Sequence, residues 1–246
     1  MIAARDLLRR FTRKTLLRKS AKMRNQCSIV SFKFDDFPRS AVSNGARILQ
    51  EHSTRGTFCV AGSYCGQLID GVRQYDETDL KALVLAGNEI GCHTFHHQRV
   101  STLNAKALAE ELDRNAAFVK RHCPKVALNT FAYPHGDVSL WSTLKLERRF
   151  EACRSSDSGL NRGTVDLGTL VAVRLYDRLI TPEEVSRVIR QATIENASLI
   201  FYTHDVDEAP SGFGCTPAVL EYAVSTAICS GAVILPVCEA IAVARR

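Results

Sequence analysis

Residues 88–97 read Asn88-Glu89-Ile90-Gly91-Cys92-His93-Thr94-Phe95-His96-His97. The first five read as a short strand after the break at Gly87, which leaves the histidines at its carboxyl end. The same arrangement recurs on either side. Ile29, Val30, Phe32 and Phe34 read as a strand that runs into Asp35-Asp36, and residues 57–61 (TFCVA) read as the next strand. Residues 128–133 (LNTFAY) run into Pro134-His135-Gly136, and residues 198–203 (SLIFYT) run into His204-Asp205. Four polar groups therefore fall at four strand ends, which a random scatter of surface residues would not do.

Helical patterns lie between these strands. They cover 41–52, 79–86 with Thr78 as a candidate cap, about 104–122, 139–149 and 216–230. Thr181-Pro182-Glu183-Glu184 has the form of an N-cap, a first-turn proline and a capping-box glutamate, opening a helix to about Glu195. Residues 150–154, 169–175 and the run AVILPV (232–237) add further strands. Alternation of strand and helix predicts a parallel α/β sheet with helical crossovers. Seven or eight such units fit a closed (β/α) barrel, with an open doubly wound sheet as the second choice. In both folds ligands sit at the carboxyl ends of the strands.

The chain has 246 residues, 46% hydrophobic and 24% charged, which excludes a disordered chain. The net charge of +6 is unevenly distributed. Residues 1–28 carry nine Lys/Arg against Asp6 alone, a net +8, which leaves −2 for the remainder. The expected organisation is a basic arm over 1–27 and one domain over 28–246. A basic domain face for nucleic acid is not supported, so no nucleic-acid partner is expected. The arm lacks the apolar core of a secretory signal. It reads either as a frayed tail or, through Leu7, Leu8, Phe11 and Leu16, as a peripheral helix on anionic lipid. The nine cysteines form no CxxC pair, so reduced thiols in a cytoplasmic protein are expected rather than disulfides or a thiolate metal site.

One carboxylate and two imidazoles make a metal triad that leaves positions open for water and substrate. Asp36 supplies the hard ligand, and His93 and His97, four apart at a strand end, can aim at one point. A divalent ion there acidifies a water and polarises a carbonyl. Adjacent side chains diverge in a strand, so Asp35 is better placed as the general base than as a second ligand. His204 is then the general acid. His96 is expected to point away from the ion. Cys92 reads as a small buried residue, and His52 and His122 as surface or capping groups. Trp141 reads as either core or a sugar platform.

These motifs resemble the polysaccharide deacetylases of the NodB-homology family (carbohydrate esterase family four). Lys33-Phe34-Asp35-Asp36-Phe37 resembles the family's T-F-D-D-G, and His93-Thr94-Phe95-His96-His97 matches H-[ST]-x-x-H. Gly56–Gly62 resembles its second strand, and Tyr202-Thr203-His204 its final L-x-H. The resemblance implies a distorted seven-stranded barrel with a divalent ion on Asp36, His93 and His97. The ion is usually Zn2+, with Co2+, Mn2+ and Ni2+ as alternatives. Asp35 would be the base and His204 the acid in hydrolysis of an acetyl group on a sugar. Ala132-Tyr133-Pro134-His135-Gly136 departs from the family's R-x-P-Y-G and resembles an F-A-Y-P-x-G branch. Tyr133, Pro134 and His135 are then the oxyanion and substrate-binding segment, with the backbone N–H of His135 as donor. The Arg that steadies the base is absent from that motif, and Arg154 or Arg174 is the candidate replacement. Asp157–Asn161 stands where the family's Asp-Trp motif would be, and Phe37 in place of Gly is expected to narrow the pocket.

The function expected is metal-dependent removal of N-acetyl groups from an amino sugar in an oligosaccharide, polysaccharide or glycan precursor. Two alternatives remain open. One is a related-barrel amidohydrolase acting on a formamide or ureido C–N bond, and the other is an inactive carbohydrate-binding relic.

Overall fold

The structure is a computed structural model and describes residues 19–246. Its centre is β2 (Ile29–Asp35), buried along its whole length. Such continuous burial suits a parallel sheet covered on both faces. Phe32 and Phe34 point outward, where they stack on Phe201 (ring centroids 5.7 Å apart) and Phe58 (4.6 Å). With a side-chain period of two, Ser31, Lys33 and Asp35 take the opposite face, inside the barrel.

Parallel strands flank β2 on both sides: β3 (Thr57–Val60), β6 (Glu89–Cys92), β7 (Thr130–Ala132) and β8 (Ala152–Arg154) one way, β11 (Ser198–Thr203) and β10 (Val173–Arg174) the other, while β4 (Leu68–Ile69) and β5 (Val72–Arg73) form a separate antiparallel hairpin. β12 (Val233–Ile234) pairs with the lower part of β2, at Ile29 and Val30, while β3 takes its upper part, Lys33 to Asp35. Residues 167–174 draw the two outer edges together. Cys153 N–H donates to Leu167 O, Leu170 N–H donates to Cys153 O, and Val173 pairs with Phe201. The parallel (β/α) barrel expected from the alternation, in the distorted form that the resemblance implies, is thus the fold, and the open doubly wound sheet is not.

Crossover helices cover the outside: α1 (Arg47–Glu51, preceded by a π-turn over Ala41–Ala46), α2 (Glu77–Leu85), α3 (Ala105–His122), α4 (Leu140–Leu146), α5 (Pro182–Ile194), α6 (Pro217–Cys229) and α7 (Val237–Ala244). The capping box at Thr181 and Glu184 forms as its sequence specifies. Among the described residues, no helix is long and apolar enough to cross a membrane.

Several details differ from the sequence reading. Asp76, not Thr78, caps α2, because its carboxylate accepts from both Thr78 N–H and Asp79 N–H. The strand expected over 232–237 stops at Ile234, because Pro236 becomes the N-cap of α7. Of the basic arm, residues 1–18, and with them the lipid-helix reading, lie outside the described residues. Residues 19–24 are built into the domain. β1 (Ser20–Lys22) pairs antiparallel with β9 (Thr164–Asp166), and Lys19 Nζ donates to Glu147 O and Phe150 O.

Candidate active site

Each strand end contributes one part of a cluster above the barrel. Asp36 leaves β2, His93 and His97 lie in the loop after β6, and His204 directly follows β11. One donor atom each from Asp36, His93 and His97 lie within 4.8 Å of one another. His93 Nε2 is 3.7 Å from Asp36 Oδ1 and His97 Nε2 is 3.5 Å from Asp36 Oδ2.

The surroundings leave these atoms ready to bind a cation. His93 Nδ1–H donates to Ala132 O at 2.8 Å, which turns the Nε2 lone pair toward Asp36. Burial lowers the His93 pKa to about 4, and burial together with the neighbouring imidazoles lowers that of His97 to about 2. Both rings are therefore neutral at pH 7, the form that ligates. Buried Asp36 Oδ1 has no hydrogen-bond partner. Burial and the Asp35 carboxylate beside it push Asp36 well above the usual carboxylate range, a cost that a cation would remove. The residues present therefore fit a divalent ion.

The loop that carries the histidines is held from behind. Glu111 on α3, itself buried, accepts from Phe95 N–H (3.1 Å), His96 N–H (2.8 Å) and His96 Nδ1 (2.6 Å). His96 is thereby turned away from the cluster. The backbone is also forced here. Asp36, Phe37, Thr94, His97 and His135 all have positive φ, five of the eight described non-glycine residues that do. Such conformations cost on the order of 1–3 kcal/mol each and gather at functional sites.

Asp35 points inward and is 3% exposed. Arg154, at the end of β8 and equally buried, pairs with Asp35 Oδ2 through Nη2 and lies 4.1 Å over the Tyr202 ring. Burial alone would raise the Asp35 pKa. Arg154, with His93, His204 and Lys33 behind it, overrides burial and holds the carboxyl well below its usual range. Arg174 does not reach Asp35; its Nη2 donates to Ser156 O at 3.0 Å. On the other side His204 Nε2 is 3.9 Å from Asp36 Oδ2, and its Nδ1–H donates to Phe213 O at 3.2 Å. Burial lowers the His204 pKa.

Pro134, His135 and Gly136 form a 3-10 turn beside the histidines. The His135 ring packs 4.4 Å from that of His97, with Nε2 3.2 Å from His97 O. Gly136 has φ +64, and a Cβ there would collide with Ser156 Oγ. The Tyr133 phenol is buried among core residues and donates to Gly168 O (3.0 Å), so it lies in the wall and not at the surface of the site.

Phe37 does not narrow the pocket. It is fully buried against Tyr75 (4.2 Å) and Phe58 (5.7 Å), so its ring is part of the core. Asp205 accepts from Ser211 N–H and Oγ, His52 pairs with Glu221 (2.6 Å) and His122 with Glu77 (3.3 Å), all structural contacts. Cys92 is buried and accepts from Asn115 Nδ2. Trp141 is 36% exposed on α4. Asn161, in the segment 157–161, is occupied by Val171 and Ser198. The part played by three residues was not legible in the sequence. Glu111 looks like one helix acid among several, and Tyr64 packs 5.5 Å from His97 without belonging to a motif. Lys33 is 1% exposed inside the barrel with no hydrogen bond on Nζ, where a strand lysine normally reads as outward.

Comparison with known proteins follows the same lines. A curated bifunctional xylanase/deacetylase from Pseudobutyrivibrio xylanivorans is 22% identical over 119 residues, 45% of this chain and 19% of that protein. The chain thus spans about a fifth of that relative's length. Among solved structures, a T48 deacetylase with substrate is 20% identical, with 88% of this chain and 92% of that one covered at a TM-score of 0.63. A family 4 acetyl xylan esterase from Clostridium thermocellum, in complex with a cobalt ion, is 17% identical over 87% and 90% of the two chains at 0.60. A family 4 pseudoenzyme from Bacillus anthracis is 13% identical over 92% and 69% at 0.62. These likenesses show the fold, which active and inactive proteins share. The model of the family described as polysaccharide deacetylase matches residues 22–149, just over half of the sequence, and the chain belongs to that family.

Proposed function

We propose that this chain is an active, metal-dependent deacetylase that removes N-acetyl groups from an amino sugar in an oligosaccharide, polysaccharide or glycan precursor. The observation that carries this reading is the convergence of Asp36, His93 and His97 donors within 4.8 Å, with Asp35 and His204 on either side. Asp36, His93 and His97 would hold a divalent ion, Zn2+ in the first instance. When bound, such an ion polarises the acetyl carbonyl and acidifies a water.

The chain's own groups then divide the proton work. Asp35, kept ionised by Arg154, takes a proton from the attacking water. The His135 N–H is assigned to the developing oxyanion, as the family resemblance implies. His204 is anchored through Nδ1 to Phe213 O, so Nε2 is the atom that delivers a proton to the departing sugar nitrogen. Its lowered pKa means that a proton placed there is readily given up. Water adds across the C–N bond, and acetate and a free amine leave. Arg154 takes the place of the motif Arg that Ala132 lacks, and on this reading the lost motif does not mark an inactive relic.

The test is acetate release from a panel of acetylated amino-sugar oligomers, run beside formamides and ureido compounds, with and without chelator. Acetate from the sugars that stops on chelation supports the proposal. Turnover of the small amides alone, or of nothing with any added metal, overturns it. A reducing, cytoplasmic location is proposed on the nine cysteines, none of them in a disulfide.

A further inference from the structure

The loop after β11 holds more than His204. Between Asp205 and Cys215 it is tied into one conformation. Buried Asp205 accepts from Ser211 N–H (2.6 Å) and Ser211 Oγ (2.5 Å), and Cys215 N–H donates to Asp205 O. Phe213 N–H donates to Ser211 Oγ, and Gly214 lies so close to the Asp205 carboxylate that a Cβ would collide with it. Asp177 N–H donates to Gly214 O and fixes the loop to the neighbouring strand end.

What this frame presents is Phe213. Its carbonyl accepts from both His204 N–H (3.1 Å) and His204 Nδ1–H (3.2 Å). Its ring stands 5.6 Å from the His204 imidazole and 5.9 Å from Tyr176, with the Arg178 guanidinium 5.1 Å from its centroid. Yet the residue is 54% exposed, and Leu179 beside Arg178 is 53% exposed. A large aromatic face held in place and open to solvent, one imidazole away from the reacting centre, is available to an incoming ligand.

We propose that Phe213 is a carbohydrate-stacking platform, taking the sugar ring next to the one whose acetyl group is removed, with Arg178 offering hydrogen bonds to that ring's hydroxyls. Pyranose C–H faces carry partial positive charge and fit the negative face of an aromatic ring, and the guanidinium brings donors in a fixed fork. This rests on the carbohydrate reading above and adds a residue that belongs to none of the motifs.

The experiment is calorimetric binding of tetra-N-acetylchitotetraose to the zinc-loaded protein and to Phe213→Ala, Phe213→Leu and Phe213→Trp. Acetate release by the wild type is followed on the same sugar. The platform predicts that Ala and Leu weaken binding about tenfold while Trp retains it, since only an aromatic face restores the contact. Leu restoring affinity would mean simple packing and overturn the proposal. So would wild-type affinity in Phe213→Ala, or no binding by the wild type. The two readings fail separately. Phe213-dependent binding with no acetate from this sugar or from any of the acetylated panel above defeats the deacetylase and leaves the platform. Acetate release with Phe213-independent binding does the reverse.

Discussion

Replacing Arg154 by Met leaves the Asp35 carboxylate buried without its counter-ion. Both groups are 3% exposed or less, so water cannot substitute for the guanidinium. Removing one partner of a buried pair costs about 3–5 kcal/mol. For a chain of this size each kcal/mol moves Tm by about 2–4 °C, so the loss is about 6–20 °C. Its pH dependence has a definite sign. In the wild type the Asp35 pKa is lowered by Arg154, so its stabilisation is present above the unfolded value near 4 and is lost only in stronger acid. In Arg154→Met burial is opposed only by the weaker contributions of Lys33 and the neighbouring imidazoles, so that pKa rises from its wild-type position, and the penalty is greatest at neutral pH and shrinks as Asp35 takes up a proton. Thermal unfolding of chelated protein at pH 7.5 and pH 4.5 measures both. In an Asp35→Asn background the same Arg154 change should cost far less, because no charge is stranded. A Tm within about 2 °C of wild type at pH 7.5, or an equal cost in the Asn background, would refute the assignment of Arg154 to Asp35.

Other outcomes follow from single contacts. Phe37→Ala should lose about 3–5 kcal/mol in urea unfolding, since the ring is core, whereas a pocket-lining role would alter substrate KM at constant stability. Glu111→Ala should lower metal affinity about 10- to 100-fold in a chelator-competition titration, because the loop carrying His93 and His97 loses its anchor. His93 is held near pKa 4 while its unfolded value is about 6.5, so the unfolded state takes up its proton first. This group alone should therefore cost chelated protein up to about 3 kcal/mol as pH falls from 6.5 to 4, beside the share of His97, and His93→Gln should reduce the slope by that amount in urea titrations.

Strand ends were the legible part of this molecule. The runs into Asp35-Asp36, His93 and His204 are local, and a parallel barrel brings such ends to one side whatever the loop lengths. Choices that depend on residues far apart in sequence were not legible. Arg154 and Arg174 are alike as residue types, and what separates them is position. Arg154 ends β8 facing inward, 119 residues from Asp35, while Arg174 is taken by Ser156 O. Phe37 stands at a motif glycine, and only Tyr75 and Phe58 reveal that it packs into the core. Pro236 reads as the end of a strand, yet the same residue caps a helix. Lys19, Lys22 and Arg24 look like part of a solvated charge run, but Ala21 and Met23 alternate with Lys22 and Arg24 and are buried, and Lys19 is bound to Glu147 O and Phe150 O.

The central claim is met most directly by metal analysis of the purified protein together with four variants. The account predicts about one divalent ion per chain in the wild type and in Asp35→Asn, and loss of that ion in His93→Ala, His97→Ala and Asp36→Asn. Retention of the ion by His93→Ala and His97→Ala, or its loss from Asp35→Asn with retention in Asp36→Asn, would contradict it.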